Sequence, residues 1–204
     1  MNDQQIYIDT VRQQVQSGAY DHLLTGRHDM VVLDIGANIG IVSKFFIPHA
    51  KRIVAIEPAP DTFRQLQKNC QSDLYVDCYQ VALAPIDGPV EFFVNDINFT
   101  ASSTVNTYGD RIVVEGKRLS TILRDYKLDR VDVCKCDAEG AEGESLDFYA
   151  LQSAKDIIKT YYIEVHNCPK TTWEHKLGTL VGNLARNGYT RMSIDGMAIT
   201  AKKP

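Results

Sequence analysis

The sequence has few of the features that are typical of secreted proteins, membrane proteins or proteins stabilised by a structural metal. It has five cysteines among 204 residues, an odd count without a CxxC pair, so we expect reduced thiols and no zinc site. Its apolar runs are far shorter than the roughly 18 residues that cross a bilayer. The N-terminal residues also lack the basic-then-apolar pattern of a signal peptide. These absences predict a cytoplasmic protein that does not bind a membrane.

The charge balance excludes a further class of protein. Lysine and arginine number 22 against 26 acidic residues, which leaves a net charge of −4 and argues against a nucleic-acid partner. Hydrophobic residues make up 44%, enough for one domain with its own core. We expect a helical segment over 1–28 that belongs to the same domain as residues 29–204.

Apolar runs typical of buried strands alternate with amphipathic stretches typical of helices. We predict strands over 30–35, 52–56, 74–82, 90–94, 111–114, 131–136, 157–165, 190–194 and 198–201. We predict helices over 3–17, 39–46, 61–70, 119–126, 144–153 and 173–187. The Asp195-Gly196 pair indicates a hairpin turn between the last two strands. This order predicts an α/β domain with a mostly parallel sheet, helices on both faces and a C-terminal β-hairpin.

The first strand leads into a glycine-containing turn, the usual place for a ligand in such a sheet. Gly36 and Gly40 form a G-x-x-x-G pattern, whereas the dinucleotide fingerprint needs glycines where Asn38 and Val42 stand. The carboxylate of Asp34 repels phosphate and suits an ammonium group. The turn therefore favours a positively charged nucleoside without phosphate.

The ends of the later strands supply further candidate residues. Glu57 follows the second strand, about 20 residues after the turn, where an acid can accept both ribose hydroxyls. The small side chain of Ala82, after the third strand, leaves room for an adenine ring. Asp137 and Glu139 follow the fourth strand, and His166 follows the fifth.

Four segments in this order resemble the FkbM-type methyltransferases, which are S-adenosylmethionine-dependent enzymes with a Rossmann-like class I fold. The segments are DIGANIG, VAIEP, KCDAEGAE and IEVHN, and the resemblance covers residues 31–166. It implies a seven-stranded sheet and O-methylation of a hydroxyl on a small molecule or sugar. It also implies a role in cofactor binding for Asp34, Gly36, Asn38, Gly40, Glu57, Ala82 and Asp137. The sequence departs from the family pattern at Cys136 and Ala138, which are smaller than the family's aliphatic residues.

Methylation of an alcohol requires a base, because the hydroxyl pKa is very high. His166 is the first candidate, since its ordinary pKa of about 6.5 suits a base at neutral pH. Glu139 is the second candidate and Asp137 the third. A structural role remains open for each: His166 as a hydrogen-bonding partner of a loop, and Glu139 as the cap of the following helix. Asp137, Glu164 and His166 are also ligand types for Mg²⁺ or Mn²⁺, but we expect no metal.

Two other functions compete with methyl transfer. One is an NAD-dependent oxidoreductase, against which the missing G-x-G argues, and the other is a non-catalytic nucleoside-binding module. For the acceptor we expect a small hydroxylated molecule, held by the N-terminal helix with Tyr7, Tyr20 and His22 and by the loop over 95–109. Ser102, Ser103 and Thr104 in that loop resemble a serine pair of the family.

Overall fold

A computed structural model of the chain describes residues 3–94, 104, 109–168 and 171–204. The strands are β1 (Met30–Ile35), β2 (Ala50–Ile56), β3 (Val76–Tyr79), β4 (Ala82–Leu83), β5 (Gly88–Val94), β6 (Asp110–Lys117), β7 (Val131–Cys136), β8 (Ile158–Glu164), β9 (Arg191–Asp195) and β10 (Ala198–Lys202). The α-helices are α1 (Asp3–Gln16), α2 (Ile41–Phe46), α3 (Pro60–Cys70), α4 (Leu119–Asp125), α5 (Glu142–Ser145), α6 (Phe148–Ala154) and α7 (Trp173–Arg186). Short 3-10 helices cover Asp21–Leu23 and Ile47–His49.

Seven strands form the main sheet, in the order β3-β2-β1-β7-β8-β10-β9. The first five are parallel, and β10 runs antiparallel to both β8 and β9. The prediction of a mostly parallel seven-stranded sheet with a C-terminal hairpin is therefore confirmed. Because β1 lies between β2 and β7, the strand order reverses there, which is where such sheets bind ligands.

Helices cover both faces of this sheet, as predicted. On one face, Val11 of α1 and Phe46 of α2 pack against strand residues such as Val32. On the other face, Ile122 of α4 and Leu180 of α7 belong to a larger core cluster. All six residues of β1 and of β7 are buried, in agreement with the strands predicted over 30–35 and 131–136. No helix of the described residues is long and apolar enough to cross a membrane.

The strand predicted over 74–82 is wrong in its extent. Of this predicted strand, only β3 belongs to the main sheet. Its pairing with β2 ends where the Glu57 amide donates a hydrogen bond of 3.1 Å to the Tyr79 carbonyl. The chain then enters a second sheet with the order β4-β6-β5. Ala82 of β4 packs there with Phe92 and Val114, so burial against a different sheet ends the first strand.

The helix predicted over 144–153 is also wrong, because two shorter helices take its place. α5 ends at Ser145, and Asp147 begins α6 by accepting a hydrogen bond from the Ala150 amide at 2.7 Å. Such an N-cap starts a new helix rather than continuing an old one. Similarly, α2 begins at Ile41 instead of residue 39, because Gly40 before it has a left-handed φ of 89°.

Gly36 lies at the junction of β1 and β7 and allows the two strand ends to approach each other. Its φ is +71°, and a Cβ at this position would lie 1.9 Å from the Asp137 carbonyl oxygen. A side chain therefore cannot be added without moving the backbone that carries Asp137.

We expect Gly36→Ala to lower the free energy of unfolding by about 3 kcal/mol or more, because it adds both backbone strain and overlap. The matched control is Gly178→Ala on α7, where a Cβ meets nothing within 4 Å. That change should raise stability by about 0.5–1 kcal/mol. Urea denaturation of both variants measures the difference, and equal stabilities would contradict the crowding at Gly36.

Candidate active site

The turn after β1 forms one wall of the site. The amides of Gly36 and Ala37 donate to the Ile56 carbonyl at 3.0 and 2.9 Å, which ties the turn to the end of β2. Asn38 has a left-handed φ of 52°, a conformation that marks a constrained loop. Gly40 instead packs against α3: a Cβ there would lie 2.8 Å from Leu66. Gly36 and Asn38 line the site, whereas Gly40 shapes the turn from behind.

Glu57 lies where the sequence places it, at the end of β2, and its side chain is nearly buried. Its carboxylate accepts hydrogen bonds from the amides of Asn38 at 3.0 Å and Ala59 at 2.9 Å. Burial raises the pKa of Glu57 to about 7, although both amide donors favour the charged form. The carboxylate thus connects the two loops that follow β1 and β2.

A recess of about 550 Å³ opens beside Glu57, and we call it the inner recess. Its walls combine the turn residues Gly36 and Asn38 with the apolar side chains of Val81, Ala82 and Phe92. The second sheet therefore contributes one side of the site. Thr104 also lines the recess, whereas Ser102 and Ser103 lie outside the described residues.

A buried lysine organises the acids beneath the turn. The Nζ atom of Lys135 lies 3.6 Å from Asp34 Oδ1 and 3.4 Å from Asp137 Oδ2, and it donates to the Gly36 carbonyl at 2.9 Å. Asp34 is fully buried and also accepts a 2.6 Å hydrogen bond from the Ser43 hydroxyl. It lies beneath the walls of the site and acts on them through Lys135.

His166, Asp137 and Glu139 lie together, as their positions after β7 and β8 predict. The His166 Nδ1 atom is 3.7 Å from Asp137 Oδ1, and its Nε2 atom is 3.9 Å from Glu139 Oε2. The second pocket, which we call the central pocket, is lined by all three residues and by Tyr20 and Glu164. It shares Gly36, Asn38, Asp137 and Glu139 with the inner recess.

Glu142 orients the histidine, a role that the sequence analysis missed. Its fully buried carboxylate accepts hydrogen bonds from the amides of Ala138 at 2.9 Å and Gly140 at 3.0 Å. It also lies 3.4 Å from His166 Nδ1. Because this carboxylate is an acceptor only, Nδ1 carries the proton and Nε2 faces Glu139.

The surrounding acids change how these groups titrate. Burial, the largest single effect, lowers the pKa of His166, and the hydrogen bond to Glu142 opposes it. With Glu139 and Asp137 adding to the effect, this pKa rises to about 9, above the ordinary value on which the sequence prediction rests. Burial, together with the charge of Asp137, raises the pKa of Glu139 as well. Glu139 also has a left-handed φ of 51°, an uncommon conformation at its place in the loop.

The same three side chains form a group that could hold a metal. Ligand atoms of Asp137, Glu139 and His166 all lie within 4.8 Å of one another. Two carboxylates and an imidazole are a suitable donor set for a divalent cation. From the sequence we considered Glu164 as the third possible ligand, whereas the structure has Glu139 in this group.

Fold and site together define the class of protein: a Rossmann-like methyltransferase fold whose site lies at the strand reversal. Three solved structures show the fold at low identity. An rRNA methylase from Streptococcus thermophilus has a TM-score of 0.56 and 9% identity, over 91% of this chain and 95% of that chain. A precorrin-6y C5,15-methyltransferase from Geobacter metallireducens GS-15 has a TM-score of 0.53 and 17% identity, over 90% of this chain and 84% of that chain. The METTL16 methyltransferase domain has a TM-score of 0.55 and 12% identity, over 92% of this chain and 67% of that chain.

The family model of the methyltransferase FkbM domain matches residues 34–190, so the chain belongs to this family. Methyltransferase sdnD of Sordaria araneosa is 31% identical over 70% of this chain and 66% of its own length. Hexuronic acid methyltransferase AglP of Haloferax volcanii is 29% identical over 78% of this chain and 68% of its own length. The chain thus spans about two thirds of the length of each relative.

We expect Glu142→Gln to lower the pKa of His166 from about 9 toward its ordinary value of about 6.5, because the charged partner of Nδ1 is lost. NMR titration of the imidazole protons measures this value. Glu144→Gln, at an exposed position of the same helix, is the matched control and should leave the pKa unchanged. An unaltered value in Glu142→Gln would rule out this orienting role.

Proposed function

We propose that this protein transfers a methyl group from S-adenosylmethionine to a hydroxyl oxygen of a small molecule or sugar. The family supports methyl transfer, and the relative named a hexuronic acid methyltransferase supports a sugar-like acceptor. The net charge of −4 continues to argue against a nucleic-acid acceptor. The observation that carries the proposal is that the inner recess and the central pocket share Asp137 and Glu139.

The lining of the inner recess suits the cofactor in its chemistry. Its apolar side at Val81, Ala82 and Phe92 suits an adenine ring, and the carboxylate of Glu57 suits the ribose hydroxyls. The buried Oδ1 atom of Asp137 has no hydrogen-bond partner among the described residues, so it can accept one from an ammonium group.

S-adenosylmethionine supplies, when bound, a methyl group that its sulfonium charge already activates. The protein must therefore align the acceptor oxygen and remove its proton. His166 can do this from Nε2, because Glu142 fixes the proton on Nδ1 and stabilises the imidazolium that forms. Glu139, 3.9 Å from Nε2, is placed to receive or relay the same proton.

The other candidate functions are less well supported. An NAD-binding site needs a place for a pyrophosphate near the turn. The carboxylates of Asp34 and Asp137 lie near this turn on either side of Lys135, and carboxylates disfavour a phosphate. A non-catalytic module would not need the arrangement of His166 and Glu142. That no metal takes part in the reaction stays a prediction.

We expect Glu57→Gln to weaken binding of S-adenosylmethionine by about 2 kcal/mol, because a charge-assisted hydrogen bond to the ribose becomes a neutral one. Isothermal titration calorimetry measures the affinity, and the same protein should show no binding of NAD. Glu174→Gln, at an exposed position on α7, is the control and should bind like the wild type. Equal affinity for S-adenosylmethionine in Glu57→Gln would remove Glu57 from the cofactor site.

We expect turnover to rise with pH from about 6.5 to about 9, because His166 must lose its proton to act as a base and its pKa is about 9. His166→Ala should lower kcat by about 100-fold or more while cofactor affinity stays the same. His175→Ala, on the exposed side of α7, should leave both unchanged. A normal kcat in His166→Ala, measured by S-adenosylhomocysteine release, would exclude His166 as the base.

A further inference from the structure

The central pocket opens into a third space, which we call the outer cleft. It shares Gln14, Tyr20 and Glu164 with the central pocket. Its far wall is the hairpin of β9 and β10, including Asp195. A molecule that reaches His166 from solvent can therefore lie along this cleft.

Negative charge dominates the lining of the two spaces. Glu164 and Asp195 line the outer cleft, while Asp137 and Glu139 line the central pocket. Among the described lining residues, Lys135 is the one lysine or arginine, and it contacts Asp34 and Asp137. Lys202, next to the cleft, donates to the His22 carbonyl at 2.7 Å. His166 is the other cationic group near the reaction site.

Glu164 lies at the point where the two spaces meet. Its carboxylate accepts a hydrogen bond of 3.2 Å from the Tyr162 hydroxyl, and no ion pair with a lysine or arginine joins it within the described part of the chain. The side chain of Glu164 is partly buried. A carboxylate in this environment gains more from a cationic ligand than an exposed one does.

Aromatic rings stand beside this carboxylate. The rings of Tyr20 and Tyr162 meet edge to face with centroids 5.4 Å apart, and the His22 ring lies 5.9 Å from that of Tyr162. Aromatic side chains pack against the apolar faces of ring-shaped ligands, and they also attract cations. The cleft thus combines aromatic side chains with a negative charge at its inner end.

Glu164 and His166 are close along the chain, where β8 ends at Glu164. Both side chains line the central pocket. One ligand that carries an amine and a hydroxyl can therefore reach both residues.

We propose that the methyl acceptor is a hydroxylated amine of the amino-sugar type, with its ammonium group bound by Glu164 and its hydroxyl directed to His166. This inference rests on the proposed function and narrows the acceptor to one class. A uronic acid would bring its carboxylate against Glu164 and Asp195, and like charges at that distance disfavour binding.

The test compares D-glucosamine, D-glucose and D-glucuronate as ligands of the protein saturated with S-adenosylhomocysteine, followed by NMR titration. We expect glucosamine to bind at least tenfold more tightly than glucose, and glucuronate to bind most weakly. In Glu164→Gln the preference for glucosamine should disappear while glucose affinity stays the same. Asp195→Asn should reduce the preference less, and Asp156→Asn, at an exposed position outside the cleft, should not change it.

Several results would overturn the proposal: glucuronate binding as tightly as glucosamine, a glucosamine preference that survives in Glu164→Gln, or no saturable binding of glucosamine at 50 mM (about the upper limit of a weak specific site). The prior titration with S-adenosylhomocysteine separates these failures from a failure of the proposed function. If that cofactor product does not bind, methyl transfer itself is wrong. If it binds and the sugars behave otherwise than expected, only the acceptor class is wrong.

Discussion

The buried ammonium group of Lys135 holds together the two strands between which the sheet reverses its order. It lies between the carboxylates of Asp34 on β1 and Asp137 after β7, and it also contacts the Gly36 carbonyl. Removing one member of such a buried set costs about 3–5 kcal/mol, because it leaves an uncompensated charge. The turn on one strand and the acidic loop on the other therefore keep their positions relative to each other.

Much of the fold follows from local patterns in the sequence. β1 and β7 have the predicted bounds because most of their residues are apolar, although Asp34, Asp132 and Lys135 interrupt the runs. The second sheet was not predicted as a separate unit, because Ala82 pairs with Gly116 far along the chain, and no local pattern shows such a pairing. The break between α5 and α6 depends on the single cap at Asp147, which hydrophobic periodicity does not reveal.

The site was predictable where one strand end supplies one residue. Glu57, Asp137 and His166 were found in this way, because parallel strands bring their carboxyl ends to the same edge. Lys135 was missed, although a lysine inside a buried strand is rare enough to deserve a search for its partners. Asp34 was expected on the wall of the site, but the same lysine keeps it beneath. The role of Glu142 depends on a loop conformation that no sequence pattern shows.

The outer cleft draws its two sides from parts of the fold with different constraints. Glu164 ends a central parallel strand, whereas Asp195 lies on the antiparallel hairpin at the sheet edge. An edge hairpin can change its length and residues without disturbing the buried strands. Variation in this hairpin could therefore alter which molecules are accepted while the chemical step is preserved, and an exchange of hairpins between relatives becomes a route to new product patterns.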